Sequence, residues 1–176
     1  GAQIIISANA SPFVTNKQET RSQIMRSRME ECGLPILYLN QWGGQDELVF
    51  DGRTFVMNPN GNYYHAQSPW ADAQFMVAAK EGENGIWAFD EGPNANQPDH
   101  WGDIYAALVT GTRDYVNKIG FKGVVLGLSG GIDSALVAAI AVDALAKDRV
   151  KAILLPSPYS SDHSLSDAEE LAANLG

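Results

Sequence analysis

The stretch Val124-Val125-Leu126-Gly127-Leu128-Ser129-Gly130-Gly131-Ile132-Asp133-Ser134-Ala135-Leu136-Val137 decides how the chain is read. Its first five residues are apolar and β-branched at the start, as in a short parallel strand covered on both faces. Ala135 to Ala146 is rich in Ala and Leu and holds neither Gly nor Pro, so the chain continues as a helix. Between the two, Gly130 and Gly131 permit backbone angles that side chains forbid and let a ligand approach the main chain closely. Consecutive N–H groups there form an anion-binding nest, with the positive end of the helix dipole behind it. Ser129 and Ser134 add hydroxyl donors. Asp133 adds a carboxylate that repels phosphate unless a cation such as Mg2+ lies between them. The plainer alternative is a glycine turn in which Asp133 or Ser134 caps an ordinary helix. A strand, two glycines, two hydroxyls and a carboxylate in this order favour nucleotide binding.

Working outward, 176 residues with 45% hydrophobic content allow one or two domains and a substantial core. A formal net charge of -9 argues against a nucleic-acid backbone or an anionic membrane surface as partner. The single cysteine, Cys32, suits a reducing cytoplasm. No apolar run approaches the length of a membrane-spanning helix, and no basic-then-apolar signal segment opens the chain. Gly1-Ala2-Gln3 leads directly into the apolar Ile4-Ile5-Ile6, and Leu165 to Leu175 forms an amphipathic helix before a capping Gly176. Both ends read as cut, which makes the chain an internal fragment of a longer protein.

In order along the chain, Ile4 to Ser7 is expected to be a strand running into the polar loop Asn9-Ala10-Ser11-Pro12-Phe13. A helix follows over Lys17 to Cys32, with Met25, Met29 and Cys32 on one face. Gly33 and Pro35 stop it, and Ile36 to Asn40 is a second strand that ends in Gly43-Gly44-Gln45-Asp46-Glu47. Leu48-Val49-Phe50 and Thr54 to Met57, joined through Asp51-Gly52, suggest a hairpin on a tight primed turn. Asn60-Gly61 suggests a second such turn, with Tyr63 to Ala66 returning. Strand, helix, strand and meander describe the later half of an α+β layered domain.

Glu81 to Gln97 is polar and rich in Gly, Asn and Pro, with a short strand possible at Ile86 to Phe89. A linker is placed around Glu91 to Pro98. Asp99 or Asp103 starts a helix through about Asn117 that buries Ile104, Leu108 and Val116. After the glycine loop and its helix, Arg149 to Leu155 is the next strand and Pro156 to Ser161 its exit loop. Two parallel strands need neighbours and helices on both faces, so the second half reads as a started α/β domain.

The glycine loop lacks the lysine and the spacing of a Walker loop. Its Ser-Gly-Gly-x-Asp-Ser run resembles the PP-loop of the ATP pyrophosphatases. That resemblance implies attack on the α-phosphorus, with pyrophosphate leaving and an adenylated intermediate formed. Alone it does not separate relatives of GMP synthetase, asparagine synthetase or tRNA-lysidine synthetase. Asn9 to Phe13 with Lys17, followed by Gly43-Gly44-Gln45-Asp46-Glu47-Leu48-Val49-Phe50-Asp51-Gly52, resembles the later part of a nitrilase-type glutaminase domain. Joined to Leu126–Ser134 and to Leu155-Pro156-Ser157-Pro158-Tyr159, the order is similar to the glutamine-dependent NAD synthetase family.

The resemblance implies the C-terminal part of an α+β nitrilase-type sandwich followed by the first part of a PP-loop, Rossmann-like parallel α/β domain. Residues 1–93 would be a partial glutaminase domain, 94–100 a linker and 101–176 a partial ATP-binding synthetase domain. The implied activity is ATP-dependent amidation of deamido-NAD to NAD with ammonia from glutamine, releasing AMP and pyrophosphate. The parent protein is expected to be a cytoplasmic homo-oligomer. By position, Gly127, Leu128, Ser129, Gly130, Gly131, Ile132, Asp133 and Ser134 would bind ATP, and Asp133 would hold Mg2+. Ser11 and Lys17 would contact glutamine, and the Pro156–Ser161 loop would lie near the adenosine, at a strand's carboxyl end.

The family's nitrilase-type Glu, Lys and Cys are expected upstream of Gly1, so no catalytic residue of that half is assigned here. Cys32, at the end of a helix with no neighbouring base, reads as a core residue. His65, His100 and His163 are too far apart for metal-ligand spacing and read as surface or satisfied polar residues. Trp42, Trp70, Trp87 and Trp101 read as packing residues or contacts between domains. Two rival functions remain: another PP-loop amidotransferase or ligase, and an amidase with a nucleotide-sensing module.

Overall fold

The computed structural model describes residues 1–82, 85–92, 94–154 and 162–176, Asp162 by its main chain. The exit loop expected over Pro156–Ser161 lies outside the described residues. By contact density the chain divides into one unit of residues 1–43 and 48–107 and another of residues 44–47 and 108–176.

The first unit is built on a four-stranded sheet. Strands β1 (Ile5–Asn9) and β2 (Ile36–Asn40) pair in parallel, Ile5 opposite Ile36, across helix α1 (Lys17–Cys32). Of the strands β3 (Trp42–Gln45), β4 (Leu48–Asp51), β5 (Phe55–Met57) and β6 (Tyr63–His65), only β5 and β6 join this sheet, in the order β1-β2-β5-β6. Alternation sorts the side chains. Ile36, Tyr38, Phe55 and Met57 face Met29 of α1, and Val56 with Tyr64 and Leu37 forms the opposite layer with Phe89. Tyr38 stacks on Phe55 with ring centroids 4.7 Å apart. Helix α1 ends where Gly33, at φ 68, donates its N–H to the Met29 carbonyl.

The hairpin expected over 48–57 does not form. Strand β4 pairs with β3, while β5 pairs with β2 and β6. Asp51 is drawn into the interior by Arg21. Gly52 and Arg53, at φ 75 and 47, then route the chain from one sheet to the other. The Asn60-Gly61 turn does close β5 onto β6, with Met57 opposite Tyr63. A second ribbon, β7 (Ala79–Glu81) with β8 (Trp87–Phe89), follows. Residues 94 and 95 are tied to β6 through the main chain of His65.

Helix α2 runs over His100–Ile119. Asp99 starts it, its carboxylate accepting the Gly102 N–H at 2.7 Å. In the second unit, β9 (Val124–Leu128) pairs in parallel with β10 (Val150–Leu154), joined by α3 (Ile132–Leu145), and α4 (Asp162–Leu175) follows. Val116 packs with Ala144 and Leu145, and Leu128 with Ala138 and Ala168. Arg149 ties the crossover shut by donating to the Lys122 and Phe121 carbonyls and to Asn117 Oδ1.

Three burial expectations are corrected. Cys32 is exposed, while Met29, three residues earlier on α1, is the one that packs into the core with Ile36, Tyr38, Phe55 and Met57. Leu108 is exposed on α2, whose buried stripe in that stretch passes through Thr110 and Val116 instead. Val125 of β9 is 63% exposed, since one face of that strand is bare among the described residues.

Candidate functional site

Each unit carries one candidate site, and the two are described separately. In the second unit, β9 ends at the buried Leu128 and the chain turns through Ser129-Gly130-Gly131 into α3. Gly130 has φ 80, and a Cβ there would collide with the Ser164 carbonyl oxygen. Only glycine fits, in angle and in space.

Two hydroxyls preshape the loop. Ser134 Oγ donates to the Gly131 carbonyl at 2.9 Å and accepts the Ser129 N–H at 3.2 Å. Its proton being committed, the 3.0 Å contact between hydroxyls is a donation from Ser129, whose oxygen in turn accepts the Gly131 N–H at 3.3 Å. The first-turn N–H groups of α3, at Ile132, Asp133 and Ser134, lack intrahelical acceptors and mark the positive end of the helix. The exposed Asp133 carboxylate stands in that same turn, with no hydrogen-bond or ion-pair partner among the described residues. The eight residues from Gly127 to Ser134 thus form one continuous strand-end, loop and helix-start, and an anion with its counter-cation fits their chemistry.

In the first unit, the start of α1 lines a cavity of about 250 Å³ bounded by Phe13, Lys17, Glu19, Arg53, His100 and Asp103, among others. The Lys17 ammonium has no partner among the described residues. Ser11 is not among the lining residues. Its hydroxyl accepts Arg21 Nε at 3.1 Å, and its N–H donates to Asn40 Oδ1 at 2.8 Å. Arg21 and Asp51, 5% and 2% exposed, form a buried ion pair at 2.8 Å. The chain of charges continues from Asp51 to Arg53 at 3.4 Å, and from Arg53 to Asp103, which also accepts Trp70 Nε1 at 2.9 Å. Burial pushes the Tyr38 hydroxyl pKa up, opposed by the Arg21 charge and a hydrogen bond with Ser11.

Sequence reasoning missed this network. Asp51-Gly52 carries a turn signal, and Arg21 sits in a helix full of exposed charges, so nothing local marks either as buried. The histidines are also revised in part. His65 is half-buried, donor or acceptor to Tyr63 Oη at 3.2 Å, with its Nδ1 unpartnered among the described residues. Burial first, and the Arg53 charge second, lower its pKa. Among the described residues no group of three or more His, Cys, Asp or Glu is placed to hold a metal, and no helix is long and apolar enough to cross a membrane.

Residues 104–176 match the NAD synthase family model. Along its whole length the chain is 44% identical to the glutamine-dependent NAD(+) synthetase of Rhodobacter capsulatus and 40% identical to that of Synechocystis sp.. The chain is a relative of the glutamine-dependent NAD(+) synthetases. It spans about a third of the length of these curated relatives, 32% and 31%. The solved structure of the Acinetobacter baumannii glutamine-dependent NAD+ synthetase, in complex with ADP, matches 98% of this chain and 32% of its own. The match has a TM-score of 0.87 at 39% identity. A Cytophaga hutchinsonii glutamine-dependent NAD(+) synthetase shares the fold, with a TM-score of 0.76 at 18% identity. The mixed α/β architecture with parallel strand pairing is therefore that of structures bearing this name.

Proposed function

We propose that this chain serves the ATP-dependent amidation of deamido-NAD to NAD with ammonia drawn from glutamine, through an adenylated intermediate. The observation that carries the reading is the preshaped glycine loop at the end of β9, with its partnerless carboxylate, in a chain that aligns end to end with enzymes of that name. In this reading residues 1–93 are the later part of a nitrilase-type glutaminase, 94–100 a linker and 101–176 the start of a PP-loop domain. A relative solved in complex with ADP supports an adenine nucleotide as a ligand of such proteins. The setting is the cytoplasm, as the lone thiol suggests.

Gly127 to Ser134 take the triphosphate. Main-chain N–H groups of the loop and of the first turn of α3 bind phosphate oxygens, and the rigid hydroxyl pair keeps those donors aimed. Asp133 would hold Mg2+, since a single exposed carboxylate with no protein partner among the described residues suits a hard cation bound together with phosphate. When bound, the cation offsets the charge that develops on the departing pyrophosphate. In the other unit, Ser11 and Lys17 contact glutamine, and the Lys17 ammonium faces its α-carboxylate.

The test is pyrophosphate release by the whole protein with ATP and Mg2+. It is expected only when deamido-NAD is present, with either glutamine or ammonium as nitrogen source. Release without deamido-NAD would point to another PP-loop ligase. Glutamine hydrolysis that ATP merely stimulates, with no pyrophosphate formed, would point to an amidase with a nucleotide-sensing module.

A further inference from the structure

We propose that Arg21 is the positioning residue of the glutamine site, an inference that rests on the assignment of Ser11 and Lys17 above. Lys17 and Arg21 are four residues apart on α1 and so share a face of that helix. Lys17 reaches the cavity, whereas Arg21 turns inward and is nearly sealed from solvent.

All three guanidinium nitrogens of Arg21 are engaged. Nε donates to Ser11 Oγ, and Nη2 donates to the Ser11 carbonyl at 2.7 Å and the Pro12 carbonyl at 3.1 Å. Nη1 is shared between the two Asp51 oxygens at 2.8 and 2.9 Å. Asn40 grips the same residue from the other side, accepting the Ser11 N–H and donating to the Ser11 carbonyl at 3.1 Å. The Asn40 amide is itself steadied by Asp51 Oδ1 at 3.0 Å. Asp51 therefore holds both clamps on the loop that leads from β1 into α1.

Two consequences follow for a ligand. The charge of Arg21 is compensated inside the protein, so the partnerless Lys17 is left to present positive charge to the cavity. The main chain entering α1 is fixed at Ser11 and Pro12, which sets where the first turn, and Lys17 with it, can stand. A buried ion pair adds little stability compared with apolar replacements, so what Arg21 contributes is the geometry it imposes. Lysine cannot replace it, because one ammonium cannot reach five acceptors spread around a planar fork.

The experiment compares Arg21→Lys, Lys17→Ala and the apolar pair Arg21→Met/Asp51→Leu in the whole protein. The readouts are KM and kcat for glutamine, the ammonium-driven rate and the thermal midpoint. Arg21→Lys is expected to raise the glutamine KM about ten-fold or more, with kcat within about two-fold, as loss of charged hydrogen bonds dictates. Ammonium-driven NAD formation stays at the parent rate. The apolar pair is expected to keep the parent thermal midpoint and still show the raised KM, a separation that a merely structural role does not produce. If Lys17→Ala raises KM while Arg21→Lys and the apolar pair leave it unchanged, this inference fails alone. If none of the variants changes KM, the glutamine assignment falls and takes this inference with it. Equal losses with glutamine and ammonium overturn the positioning role and make Arg21 a stability residue only.

Discussion

Asp51→Ala tests the first unit at its most constrained point. Asp51 is 2% exposed and accepts both Arg21 Nη1 contacts and the Asn40 amide, with Arg53 Nε at 3.4 Å. The substitution leaves Arg21, itself 5% exposed, as a buried cation without its counter-charge. Removing one partner of such a pair costs about 3–5 kcal/mol. The Asn40 amide keeps its bond to the Ser11 carbonyl, so its loss is the smaller part, about 1 kcal/mol. A total of about 5 kcal/mol is a large share of the roughly 5–15 kcal/mol that holds a domain folded. Replacing both charges, as in Arg21→Met/Asp51→Leu, removes the desolvation penalty along with the attraction and is expected to stay within about 1 kcal/mol of the parent. Urea unfolding followed by tryptophan fluorescence reads both variants, since Trp70 is wired to the same network through Asp103. A loss under about 1 kcal/mol for Asp51→Ala, or a double variant as unstable as the single one, would refute the reasoning.

Three further outcomes are expected. Gly130→Ala drives a Cβ into the Ser164 carbonyl at positive φ, so affinity for a fluorescent ATP analogue falls by about ten-fold or more with far-UV circular dichroism unchanged; affinity within about two-fold of the parent contradicts this. Asp133→Ala abolishes NAD formation by the whole protein with both nitrogen sources at saturating Mg2+, while glutamine hydrolysis continues; near-normal NAD formation would remove Asp133 from the site. Because burial lowers the His65 pKa below its ordinary 6.5, the neutral ring stabilises the fold above that pH. That contribution is lost as pH falls through the depressed folded-state value, so His65→Gln is expected to flatten the acid limb of the stability profile, and an unchanged slope would count against it.

What could be read from the chain was local. The helix over Lys17 to Cys32 and the strands Ile36–Asn40 and Val124–Leu128 have the bounds expected from periodicity and glycine punctuation. The glycine loop was legible because its parts are consecutive: a strand, two glycines and two hydroxyls must fold next to one another. The Arg21–Asp51–Asn40 cluster was not. Its members stand 30 and 11 residues apart, and each looks like ordinary surface composition until the sheet brings them together. Asp51-Gly52 shows how a turn signal misleads. The backbone does take left-handed angles at Gly52 and Arg53, but the pull of a buried arginine on Asp51 decides which strands the turn connects. Leu108 and Val125 failed for the converse reason, since an apolar side chain announces a preference and not the presence of a partner to cover it.

The exposed thiol at the end of α1 turns the chain into its own spectroscopic instrument. Cys32 is the only cysteine in the sequence, is exposed and stands beside a glycine cap. A maleimide dye attached there would ride on the helix whose opposite end carries Lys17. Fifteen residues of helix put the two roughly 22 Å apart. That is far enough to leave the cavity undisturbed and near enough for energy transfer to an acceptor-bearing ligand seated at Lys17.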